Sequence, residues 1–146
     1  MTEPELEKRV DEFCENGNLD FNKSTLNQIF DKIRDNGCKI SARYDSDISK
    51  HEYDYENKIS RIRISLSKKY DKSIHIIWTI LHEFGHHLEG PISKKDEKNI
   101  EIRKSNELNA WKHAEKEIKN YPELFKLSSD FKDYCNSCLI TYGTSL

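Results

Sequence analysis

The sequence predicts an α+β fold, with one domain covering residues 1–146. Three observations carry this. Residues 38–44 and 59–66 alternate polar and apolar side chains with the period of two that strands show. Several longer segments repeat apolar residues every three or four positions, as helices with one buried face do. A length of 146 residues suits one hydrophobic core rather than two.

In chain order, residues 5–15 place Leu6, Val10 and Phe13 at helical spacing, and Asn16-Gly17-Asn18 ends that helix. A second helix over about 23–36 buries Leu26, Ile29, Phe30 and Ile33, with Gly37 standing where a helix C-terminal glycine is expected. The strand at 38–44 leads into a polar loop over 45–56. In the strand at 59–66, Ile62, Ile64 and Leu66 share one face while Arg61, Arg63 and Ser65 share the other. Ser73 can cap the next helix, which is apolar over much of its surface through Ile74, Ile76, Ile77, Trp78, Ile80, Leu81, Phe84 and Leu88, and which Gly90-Pro91 stops. A longer helix over about 96–120 offers Ile100, Leu108, Trp111 and Ile118 for packing. After Tyr121-Pro122, a last helix carries Leu124, Leu127, Phe131, Tyr134 and Leu139.

Composition excludes several classes. Hydrophobic residues make up 35% and charged residues 34%, too patterned for a disordered chain and too polar for a membrane protein. The longest apolar stretch, Ile74 to Leu81, is interrupted by His75 and Thr79 and falls far short of the roughly 20 residues a bilayer needs. The acidic start, Met1-Thr2-Glu3-Pro4-Glu5, has no signal-peptide core, so a cytoplasmic location is expected, with Cys14, Cys38, Cys135 and Cys138 as reduced thiols. A net charge of -2 with both signs interspersed gives no footprint for direct nucleic-acid binding.

Chemistry concentrates in His82-Glu83-Phe84-Gly85-His86. Histidines four apart on a helix project from one face and can reach a single Zn²⁺ at about 2.0–2.1 Å. Glu83 lies roughly 100° around the helix from His82, beside the metal rather than on it, where a general base would hold a metal-activated water. Chance produces this pattern in roughly one of 40 sequences of such composition, so its setting decides its meaning. The motif falls late on a strongly apolar helix, where three ionisable groups are costly without a partner. Gly85, a poor helix former, permits another backbone to come close. Solvated histidines near a helix end, or a closed structural zinc site with a fourth protein ligand, are the plainer alternatives.

A catalytic zinc site needs a third protein ligand and an open position. The downstream acids are Glu89, Glu97, Glu101, Glu107, Glu115 and Glu117. Glu107 is the best placed, inside a second long helix that has length to turn back on the first, with small Ala110 one turn later; Glu101 is the substitute. Cys135 and Cys138 have metal-pair spacing but no second pair follows, so they read as buried thiols. His87 and His113 read as solvated or peripheral, and His51 and His75 show no partner in the sequence. Tyr53, Tyr55, Tyr121 and Tyr142 are each able to donate a hydrogen bond in a transition state.

Residues 58–116, with an Ile-rich strand, Ile80-Leu81-His82-Glu83-Phe84-Gly85-His86-His87-Leu88 and Glu107-Leu108-Asn109-Ala110-Trp111, resemble the ImmA/IrrE family of metallopeptidases, within the gluzincins. Relatives commonly show Ala-Asn where this chain has Ala110-Trp111. The resemblance implies a zincin-like metallopeptidase domain, with a small, mainly antiparallel sheet packed on the active-site helix. It implies His82, His86 and Glu107 as zinc ligands and Glu83 as the catalytic base. It implies cleavage of a specific intracellular protein, often a DNA-binding repressor. The rival reading is a non-enzymatic zincin-fold binding protein, such as an antirepressor or an antitoxin-like partner. In the wider zincin fold an edge strand holds the substrate as an added strand; if residues 61–67 form that edge, Arg61 and Arg63 would favour acidic substrate residues.

Overall fold

The computed structural model describes residues 2–146. It is a mixed α+β structure of six helices and one three-stranded sheet. The elements are α1 (Glu3–Gly17), α2 (Lys23–Asp35), β1 (Cys38–Arg43), β2 (Lys50–Asp54), β3 (Ile59–Ser65), α3 (Ile74–Glu89), α4 (Ile100–Ile118), α5 (Pro122–Phe125) and α6 (Ser128–Leu139), with 3-10 turns at Asp20–Asn22 and Ile140–Tyr142. The chain divides into two compact units, Met1–Ile80 and Leu81–Leu146, and the division falls within α3. No described helix is long and apolar enough to cross a membrane.

In the first unit, α1 opens with a capping box in which the Thr2 hydroxyl accepts from the Glu5 amide and the Glu5 carboxylate accepts from the Thr2 amide. Asn18, in the left-handed region at φ 56°, closes the helix. Phe13 of α1 meets Phe30 of α2 edge-on, with centroids 5.1 Å apart, and both are fully buried. Gly37, at φ 75°, turns the chain from α2 into β1.

The sheet differs from the expectation in two ways. Residues 45–56 are not simply a loop, because β2 lies within them. Every β2 residue is only partly buried and the segment Lys-His-Glu-Tyr-Asp has no apolar alternation, so its strand character comes from pairing with β3 rather than from its own pattern. The turn that joins them is built on Asp54, whose Oδ1 accepts the Glu56 and Asn57 amides at 3.0 and 3.1 Å. The strand order is β1-β3-β2, with β3 parallel to β1 and antiparallel to β2, so the sheet is mixed rather than mainly antiparallel.

That order also removes the expected edge. Both sides of β3 are hydrogen-bonded to neighbouring strands, which leaves no free edge for a substrate strand. The reason is burial: Ile62 and Ile64 are fully enclosed, as the centre of a sheet requires. Arg63 is also engaged, its Nε lying 3.4 Å from the Glu52 carboxylate on β2. A hydrogen bond from Lys50, with the charge of Arg63, holds that carboxyl below its usual range against the opposing effect of burial.

In the second unit, α4 begins at Ile100 because the Asn99 side chain caps it, accepting the Glu101 and Ile102 amides at 3.0 and 3.2 Å. Ile100 is 71% exposed and does not pack, contrary to the periodicity reading. The last helical segment is split into α5 and α6, and Leu127 at the break is exposed. The core of this unit holds Ala110, Trp111, Ala114, Ile118, Leu124, Phe131, Cys135 and Leu139. All four cysteines are free thiols, and burial pushes Cys135 up to about 12, which leaves it inert.

Candidate metal centre

Two helices build the centre. His82 and His86 stand one turn apart on α3, with ring centroids 4.6 Å from each other. Glu107 reaches them from α4: its Oε2 lies 2.9 Å from His82 Nε2 and its Oε1 lies 3.1 Å from His86 Nε2. One donor atom from each of the three residues falls within 4.8 Å of the others, so the group can hold a metal ion. Two imidazole nitrogens and a carboxylate oxygen are the donor set of hydrolytic zinc sites. Glu101 is not part of the group.

A short-range packing feature explains why Glu107 arrives there. The backbone of α4 passes directly over Gly85: a Cβ at that position would overlap the Ala110 carbonyl oxygen and stand 2.9 Å from the carbonyl carbon. Ala110 itself is fully buried. Small residues on both helices therefore permit a close approach, and Glu107 sits one turn before Ala110, on the side facing the two histidines.

Trp111 contributes a contact that the sequence did not reveal. Its indole stacks on the His82 ring, 4.2 Å between centroids and 9° from parallel. Phe131 and Tyr134 of α6 meet the indole edge-on at 5.8 and 6.0 Å, so the imidazole is backed by a wall of aromatics. The sequence signal was present in the departure Ala110-Trp111, but spacing alone made Trp111 a packing residue.

Glu83 is 5% exposed, and its Oε1 is 3.3 Å from His82 Nδ1. A carboxylate at Nδ1 favours the tautomer that leaves Nε2 free to bind a metal. Burial pulls the His82 pKa down, but hydrogen bonds with Glu107 and Glu83 outweigh it and raise the ring to about 9. Burial likewise works against the charged Glu107, and the His82 and His86 hydrogen bonds hold it well below the usual carboxylate range. The carboxylates and imidazoles thus offset one another's burial, and a metal ion bound here would take the place of the His82 proton.

His113 is not merely solvated: its Nε2 lies 2.9 Å from Glu89 Oε1, and Asn109 approaches the other Glu89 oxygen at 3.5 Å, fastening the end of α3 to α4. His51 also has a partner, Ser60 Oγ at 2.7 Å, across the β2–β3 pair. His87 stacks on Phe84, and His75 is buried at the start of α3. Tyr53 and Tyr55 pack edge-on against each other in the first unit, and the Tyr121 hydroxyl donates to Glu117. Tyr142 is the tyrosine that senses the centre. Burial and then the Glu107 charge push its phenol above the ordinary value, with a smaller push from Glu83, while Arg103 is within hydrogen-bonding reach of it.

No family model, curated protein or solved structure matches the chain.

Two predictions come from this geometry. Gly85→Ala forces α4 away from α3 and should lower zinc affinity by at least ~10-fold, read by calorimetric titration, with an unchanged affinity counting against the packing argument. His82 holds its proton up to about pH 9, whereas a metal needs the neutral ring. Zinc uptake near neutral pH should therefore release about one proton, and affinity should climb with pH until about 9 and then level off. Titrations in buffers of different ionisation enthalpy measure this directly, and zero proton release would contradict the electrostatic account.

Proposed function

We propose that the chain is a zinc-dependent endopeptidase, zincin-like and of the ImmA/IrrE type, that cleaves a specific intracellular protein. The observation that supports it most is the Glu107 carboxylate facing both motif imidazoles while Glu83 lies buried beside them. His82, His86 and Glu107 would hold a zinc ion, which would supply the Lewis acidity to acidify a water and polarise a peptide carbonyl.

The chain's own residues do the rest. Glu83 accepts the water proton on its carboxylate and passes it to the departing amine nitrogen. Glu83 starts from contact with His82 Nδ1, so it also fixes the tautomer of that ligand. Tyr142 keeps its proton at neutral pH and donates it as a hydrogen bond to the substrate oxygen as that atom gains negative charge. Trp111, flat against His82, holds the ring in place and keeps water from that side. By the family resemblance the substrate is a regulatory protein such as a DNA-binding repressor, met in the cytoplasm.

Glu83→Gln should retain zinc and lose cleavage of a proteome-derived peptide pool, with new termini read by mass spectrometry. Tyr142→Phe should retain zinc and slow cleavage by about 10²–10³. Equal cleavage by Glu83→Gln and the unmodified chain would overturn the mechanism. Loss of zinc from Glu83→Gln would instead make Glu83 a residue that orients His82.

A further inference from the structure

We propose that the cavity between the first turns of α4 and the Ile140–Tyr142 turn is a substrate subsite of this centre and takes an acidic side chain adjacent to the scissile bond. The proposal rests on the peptidase reading above and names what that site prefers.

The cavity measures about 310 Å³ and is lined by Ile100, Glu101, Arg103, Lys104, Thr141 and Tyr142. That is the lower end of ordinary ligand sites, roughly 300–1,000 Å³, and suits one side chain rather than a whole ligand. Two residues join it to the metal centre. Arg103 precedes Glu107 by four positions on α4, which puts both on one face about 6 Å apart along the axis. Tyr142 lines the cavity and also lies within the field of Glu107 and Glu83. A peptide with its carbonyl at the metal therefore has this cavity beside it.

Charge and shape select the occupant. Arg103 and Lys104 outnumber Glu101 in a chain whose net charge is -2, so the local excess of positive charge is a property of this spot. Neither cation forms an ion pair with a described residue. Ile100, 71% exposed at the rim, contributes an apolar wall that folding does not use. A glutamate fits this lining: its methylenes lie along Ile100 and its carboxylate meets the Arg103 fork and Lys104. A basic occupant would have Glu101 alone as a partner.

The test uses the zinc-loaded chain and two short series of hydroxamates, which seat themselves on the metal. N-acetyl-Xaa hydroxamates carry the side chain before the scissile position, and malonamide hydroxamates bearing the same side chain on C2 carry it directly after, with the side chain of Glu, Gln, Leu or Lys. Calorimetry should show Glu binding ~10-fold tighter than Gln in one series, with Lys weakest. Arg103→Gln/Lys104→Gln should erase that preference while plain acetohydroxamate binds as before. Binding of acetohydroxamate without a glutamate preference in either series, a preference for Lys, or a preference that survives the double substitution would each overturn the subsite. Failure of acetohydroxamate itself to bind would remove the metal reading, and the subsite with it.

Discussion

Without a side chain at Gly85, α3 presents bare backbone to α4, and the Ala110 carbonyl occupies the space where a Cβ would stand. The rest of the centre depends on this approach. Glu107 has a short side chain and must reach two imidazoles at once, at 2.9 and 3.1 Å. A separation larger by the width of a methyl group would break one of those contacts. Glycine inside a helix is destabilising by roughly 1 kcal/mol relative to alanine, and here the loss is offset by the helix packing and the carboxylate position it allows. The Glu89–His113 contact secures the same pair of helices at the end of α3.

Electrostatics explains why such a cluster persists in an apolar setting. Glu83 and Glu107 are carboxylates partly or wholly removed from water. Alone, each would be costly. Together with His82 and His86 they form a compensated group, the carboxylate of Glu107 well below its usual pKa and the His82 ring raised to about 9. The stacked indole of Trp111 limits how the His82 ring can turn, so the nitrogen that faces Glu107 is held by packing as well as by charge.

Much of this was legible in the sequence where a periodic signal met a chemical one. The spacing of His82 and His86 put both rings on one face, and small residues at Gly85 and Ala110 pointed to a close helix pair that brings Glu107 near. What escaped had no local signature. β2 is charged along its length and is a strand because β3 offers it partners. The edge position expected of β3 came from the zincin resemblance and not from its own residues, and an arginine that reaches Glu52 on the next strand is compatible with a central position. Ile100 fits a helical stripe but precedes the turn at which α4 begins to pack. Trp111 and Tyr142 owe their places to α6 and to the final 3-10 turn, which no pattern around residues 82–86 foretells.

We propose that His82, His86 and Glu107 hold one zinc ion through a helix contact that Gly85 and Ala110 permit. Elemental analysis of the purified chain, alongside His86→Ala and Glu107→Ala, tests it most directly. About one zinc per chain is expected, lost in both variants. An unmodified chain that takes up no zinc even after refolding with added metal, or a Glu107→Ala variant that keeps its full complement, would contradict it.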